Sequence, residues 1–290
     1  MKKTTFLITS LASLFIGSTL FSCSEGPKSS DKETTEIDST AVTEDVEEME
    51  EDDYFMLPSP IQIAAIFNRA GLGYESGLTN PVENISKYNT KTSKFLNFGV
   101  YSADLAYAVL NNQQQLSIDY LNAVKKLSEE IGMPGIFGSG RLIESFEKNV
   151  GNQDTVLQIL TTIKRRTDEY LEENRESSKE SIFFSAAWLE GMYLGANSST
   201  DNERLTPRLV EQMTILKNII KAIEIQKDET LEMDFMVDGL NEIRTTFNNF
   251  ESVKKLENTD IEFGDVQLSD EEMKMLTEKI NTLRTKVIEG

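Results

Sequence analysis

From Tyr54 onward the apolar residues recur at offsets of three and four, and this spacing constrains the fold more than any other feature of the chain. Phe95, Phe98, Ser102, Leu105 and Val109 form one stripe, and Leu121, Val124, Leu127 and Ile131 form the next. Val156, Leu160, Ile163 and Tyr170 repeat the pattern, as do Met273, Leu276, Ile280, Leu283 and Val287 near the end. Offsets of this kind line up on one face of an α-helix and scatter across both faces of a strand. Alternation with period two occurs only in Ile261-Glu262-Phe263 and Val266-Gln267-Leu268, which Gly264-Asp265 separates. One isolated ribbon does not define a sheet. The expected fold class is all-α.

Local signals place the helix boundaries. Ser59-Pro60 supplies an N-cap and a first-turn proline for a helix through about Ala70, and Asn80-Pro81 with Glu83 repeats the device. Helices are predicted over Thr92–Asn111 and Gln115–Ile131, with only Asn111-Asn112-Gln113 near the junction, so the two should fold back antiparallel. Further helices are expected over about Ser139–Asn149 and Asn152–Arg175. Ser177 with Glu180 reads as a capping box opening Lys179–Asn197. Thr206-Pro207 opens a helix with Leu209, Met213, Leu216, Ile220 and Ile223 on one face. Thr230–Leu256 and a helix capped by Ser269 and Glu272 complete the series. Residues 54–290 form the helical domain, long enough for one core or for two subdomains of about 54–150 and 151–290. Short loops between long helices imply antiparallel helical hairpins, in an open array or a closed bundle. Within Asn97–Tyr107, a small residue and a Tyr precede a second helix bearing Tyr120 and Ala123. This pair resembles a tetratricopeptide-type (TPR-like) hairpin. No 34-residue period runs through the whole chain.

The beginning of the chain has a different character. Lys2 and Lys3 precede an apolar run from Phe6 to Phe21 broken only by Ser, Thr and Gly. A basic start, a short apolar stretch and a small residue before the cut are the marks of a secretory signal, here residues 1–22. The run is too short and polar for a spanning helix. Leu20-Phe21-Ser22-Cys23 resembles the lipobox of bacterial lipoproteins, with Phe21 departing from the commonest pattern. The resemblance implies cleavage before Cys23, acylation of its thiol and new amine, and a lipid-bilayer partner. Ser24 after the Cys implies an outer-membrane address, with the face it displays undetermined. Residues 24–53 carry thirteen acidic residues against Lys28 and Lys32, a net charge of −11, and almost no apolar content. Such a segment reads as a disordered tether spanning 23–53.

Composition removes several chemistries. The 290 residues include no His and a single Cys. No imidazole or thiolate remains for a nucleophilic pair, a disulfide or a zinc site, so neither a metal nor a cofactor is expected. A net charge of −20 makes nucleic acid a poor partner.

Three constellations stand out as candidate sites. Gly132, Gly135, Gly138 and Gly140 form a loop leading into a helix at Arg141, where backbone N–H groups and a guanidinium would meet an anion. No strand precedes the loop and no Lys-Ser/Thr follows, so dinucleotide and P-loop readings fail. Ala187, Gly191 and Gly195 recur at spacing four beside Trp188 and Tyr193, which makes a notch for a packed helix or a ligand. Asp104 and Glu190 are carboxylates on apolar helix stretches. Without a catalytic constellation, the leading expectation is a non-enzymatic binding or scaffold lipoprotein that engages an envelope protein or a small ligand. The alternative is a carboxylate-dependent hydrolase of envelope polysaccharide, which requires Asp104 and Glu190 to face one cleft.

Overall fold

Two long helices organise the molecule: α2 (Lys91–Leu110) and α6 (Glu180–Asn197). In this computed structural model residues 58–138, 140–199, 202–226, 228–255 and 266–290 are described. The signal segment, Cys23, the acidic tether, Ser139 and Ile261–Phe263 lie outside the described residues. Among the described residues there is no strand, and the protein is all-α.

The central pair is explained by its side chains. Apart from Glu190, α6 is apolar or small on nearly every face from Ser181 to Gly195, as expected of a helix surrounded by protein. The axes approach closely where Gly99 meets Phe183. A Cβ built on Gly99 would lie 2.0 Å from the Phe183 carbonyl oxygen. Beside this crossing the Phe98 and Phe183 rings meet edge to face, 5.3 Å between centroids.

The other helices pack around this pair. α1 (Pro60–Arg69) lies across both, sending Ile63 and Phe67 onto Gly191 and Gly195 of α6. α3 (Gln114–Glu130) covers α2 after a three-residue connection in which Asn112 adopts a left-handed conformation. α4 (Arg141–Asn149) and α5 (Gln153–Glu173) pair with each other, and α5 presents Val156, Ile159, Ile163, Thr167 and Leu171 inward. α7 (Asn202–Met213) and α8 (Leu216–Glu224) contact α6, and α8 leads to α9 (Asp234–Asn248) and the single turn α10 (Glu251–Lys254). α11 (Asp270–Glu289) closes against α6 and α9 behind a capping box of Ser269 and Glu272. A single apolar cluster runs from Ile63 to Val287.

Four boundaries differ from the sequence expectation, each for a local reason. Asn80-Pro81 does not open an α-helix; a 3-10 segment, Val82–Lys87, follows, because Asn80 is drawn into the core by its side chain. Ser177–Lys179 is likewise a 3-10 turn, and α6 starts at Glu180 without a side-chain cap. The helix expected from Thr206 begins at Asn202, holds Pro207 inside, and breaks after Met213. There the Thr214 N–H and hydroxyl both donate to the Glu211 carbonyl, 3.2 and 2.7 Å, drawing the backbone out of register. The helix expected from Thr230 starts at Asp234, because the Asp228 carboxylate accepts from the Thr230 backbone and hydroxyl and holds a turn. It ends at Asn248, with Phe250 in an extended conformation.

Gly99→Ala should destabilise the protein severely. Alanine improves helix propensity by about 1 kcal/mol, but the clash is with backbone, which cannot swing aside. Overpacking of this kind costs about 1–3 kcal/mol or more, so a clear fall in thermal midpoint is expected. Gly135→Ala, where an added Cβ meets nothing within 4 Å, should change stability by less than about 0.5 kcal/mol.

Candidate functional site

The core contains a charge cluster. Arg284 of α11, 7% exposed, makes a two-pronged ion pair with Glu190 of α6, which has no exposed surface. Nε donates to Oε2 at 2.9 Å and Nη2 to Oε1 at 2.8 Å. Nη2 also reaches the Leu78 carbonyl at 3.3 Å, and the guanidinium lies 4.0 Å from the centre of the Tyr193 ring. Asp104 of α2, equally buried, faces Glu190 within hydrogen-bonding reach. Its Oδ2 accepts from the Asn80 N–H at 3.1 Å, while Oδ1 has no donor among the described residues.

Desolvation and the adjacent Glu190 charge push the Asp104 carboxyl well above the usual carboxylate range, against the pull of Arg284. That direction favours the protonated form of Asp104, in which its carboxyl can donate a hydrogen bond and the guanidinium has one carboxylate charge to balance.

A polar girdle surrounds this cluster. The Asn80 amide donates to the Tyr88 hydroxyl at 2.9 Å and to Asn97 Oδ1 at 3.3 Å, and its side-chain oxygen accepts from Asn84 at 2.7 Å. Its carbonyl accepts from the Tyr120 hydroxyl at 3.0 Å. Asn97 donates to the Val287 carbonyl at 2.8 Å, and Tyr88 to that of Ile288 at 3.3 Å. Two carbonyls in the last turn of α11, which lack helix partners, are thereby satisfied from α2 and its approach. Burial raises the Tyr101 and Tyr120 hydroxyls, and that of Tyr107 to about 12, so all three stay neutral donors. Tyr107 donates to the Gly73 carbonyl at 2.6 Å and fixes the loop before Asn80.

The second feature is an apolar cleft where α2, α3, α5 and α6 meet. Phe98, Leu105, Val124, Phe137, Ile163 and Phe184 line it, Pro58–Ile61 border it, and it encloses about 90 Å³. Lys164 bridges Asp168 at 2.7 Å and Glu180 at 3.4 Å on its lining.

The sequence candidates fall as follows. Asp104 and Glu190 are brought together, yet both are wholly enclosed and Arg284 engages both oxygens of Glu190. Trp188 is fully buried with its indole N–H unpaired among the described residues. The small-residue notch is filled by α1: a Cβ on Gly191 would lie 2.7 Å from Ile63 Cγ2, and one on Gly195 2.8 Å from Phe67 Cε1. Tyr193 meets Arg284 instead. Arg141 is exposed at the start of α4. The preceding loop buries Met133, Ile136 and Phe137, with Gly132, Gly138 and Gly140 at positive φ and the Gly132 carbonyl accepting from Tyr170. None of Arg141, Trp188, Gly191 or Tyr193 lines the cleft. Arg284 and Asn80 were missed. The available signal was a cation beside Leu283 on the apolar stripe of α11.

Among the described residues no group of carboxylates is arranged to hold a metal ion, and no helix is long and apolar enough to cross a membrane. Comparison with protein-family models, with curated proteins and with solved structures found no match to the chain.

Asp104→Asn should preserve the network, since the amide donates to Glu190 and accepts from Asn80, and should cost less than about 1 kcal/mol. Glu190→Gln leaves a buried guanidinium unpaired and should cost about 3–5 kcal/mol. The native Asp104 binds a proton that the unfolded chain releases above its ordinary value of 3.8. This group's contribution to stability therefore falls as pH rises from about 4, with a slope of up to about 1.4 kcal/mol per pH unit. Urea denaturation across this range should show Asp104→Asn gaining on the wild type as pH rises. Glu272 works in the opposite sense. Burial pushes it up, but hydrogen bonds from Ser252 and Ser269 outweigh this and lower it to about 2, so its contribution is lost on acidification below 4.5.

Proposed function

We propose that the chain is a bacterial lipoprotein, acylated at Cys23 and held on the outer membrane, whose helical domain is a non-enzymatic binding module. In this reading residues 24–53 are the tether, and the partner is an envelope protein or small ligand that places an apolar group in the cleft between α2, α3, α5 and α6. The cleft carries the reading: aromatic and aliphatic side chains from four helices converge on one partly open space. Its size suits an apolar side chain or the end of an acyl chain. The lipobox resemblance at Leu20–Cys23 supports the anchor, and the length of the acidic segment supports a domain held off the bilayer. The α2–α3 pair, joined by three residues, fits the TPR-like hairpin resemblance as well. A binding role is preferred to hydrolysis because Asp104 and Glu190 have no surface at which a glycan could meet them.

Two measurements test this. Metabolic labelling with fatty acid should mark the wild type and leave Cys23→Ser unmarked; a labelled Cys23→Ser protein overturns the anchor. Ser102, half-buried on the cleft lining, is replaced by Phe to fill the space. The wild type should enhance the fluorescence of N-phenyl-1-naphthylamine saturably, and Ser102→Phe should weaken that binding about tenfold or more while melting no lower. Equal probe binding by both proteins overturns the assignment of the cleft.

A further inference from the structure

Away from the cleft, one recess reverses the sign of a strongly acidic chain. Where the end of α1 meets the first turns of α7, Arg69, Arg204 and Arg208 line a single recess of about 390 Å³ together with Glu203 and Glu211. Three guanidiniums against two carboxylates leave a local charge of +1 on a chain whose net charge is −20. Arg204 and Arg208 stand four apart on one helix, a like-charge pairing that is mildly unfavourable by itself. At physiological salt, charges beyond about 8 Å are largely screened, so among the described residues these five side chains set the field inside the recess.

One of the guanidiniums is held in place before any ligand arrives, and a second lies against the backbone at the mouth of the recess. Arg208 is anchored by Glu211, with Nη1 2.6 and 2.7 Å from the two carboxylate oxygens. The Arg204 guanidinium lies over Gly71: a Cβ there would sit 3.4 Å from Nη1, and the backbone of Gly71 is left-handed at φ +101°. Arg69, in the last turn of α1, completes the set from the opposite side. Positioned guanidinium forks match the tetrahedral oxygens of phosphate, to which each can donate twice.

We infer that Arg69, Arg204 and Arg208 form a binding site for a phosphate-bearing small molecule. The recess is larger than a single phosphate group needs, which favours a phosphorylated sugar or a pyrophosphate-sized anion. The same chemistry is offered by a free phosphoester and by a lipid headgroup, and the test separates the two. The site is independent of the apolar cleft.

Isothermal titration with inorganic pyrophosphate should give saturable binding to the full chain that weakens as sodium chloride rises. Arg69→Gln and Arg204→Gln, both at exposed positions, should each weaken it about tenfold. Arg165→Gln, an exposed cation paired with Glu169 on α5, should leave it unchanged. Thermal melts establish that the variants are folded, and naphthylamine uptake by the cleft should be the same in all of them. Cosedimentation of the unacylated Cys23→Ser chain with phosphatidic acid vesicles, against phosphatidylcholine alone, identifies the source without the acyl anchor. Binding that Arg204→Gln abolishes marks a lipid headgroup, while pyrophosphate binding without vesicle binding marks a soluble phosphoester; either supports the site. No saturable heat with pyrophosphate, or an equal loss in Arg165→Gln and Arg204→Gln, overturns it.

Discussion

The two-pronged pair between Arg284 and Glu190 is the interaction on which the arrangement of the core depends. It joins α11 to α6, and with Asp104 beside Glu190 it reaches α2, so one buried charge cluster ties together three helices distant in sequence. Apolar burial alone is non-directional and would tolerate α11 sliding by a turn. A guanidinium fork does not, because a shift of one turn would leave charges uncompensated in a medium that solvates them poorly. The Asn97 and Tyr88 contacts to the Val287 and Ile288 carbonyls fix the same register one turn further along α11.

Around this cluster the packing is uneven. The α2–α6 crossing is tight enough that Gly99 touches backbone, whereas α5 reaches the same pair through one stripe of side chains and leaves the cleft alongside. The apolar cleft thus lies beside the contact that α5 makes with this pair. The binding role proposed for this cleft places the partner's apolar group beside α5, at the edge of that tightly packed centre.

Much of the helical architecture was legible in the sequence, because α2, α3, α5, α6 and α11 carry long apolar stripes that end at capping or turn residues. The failures share a cause. Leu209, Met213, Leu216, Ile220 and Ile223 keep their spacing across the break at Thr214, since an interruption of two residues barely disturbs a period of 3.6. The capping signals at Asn80 and Ser177 were genuine local preferences that tertiary contacts overrode. In the core, Asp104 and Glu190 were visible as acids among apolar neighbours, but their meeting depends on how α2 crosses α6, which no local pattern encodes. Arg284 was hidden by the expectation that a helix cation points to water. The recess of Arg69, Arg204 and Arg208 was hidden too, because its members come from two helices more than a hundred residues apart.

The separation of Arg284 from its partner has a consequence in time. Ninety-four residues lie between Glu190 and the guanidinium that neutralises it. At roughly 5–20 residues per second of synthesis, Glu190 is made about 5–20 s before its counter-ion exists, and Asp104 earlier still. Until then α2 and α6 can bury these carboxyls only with protons on them or without their counter-ion, so the native pairing forms only once α11 has been made.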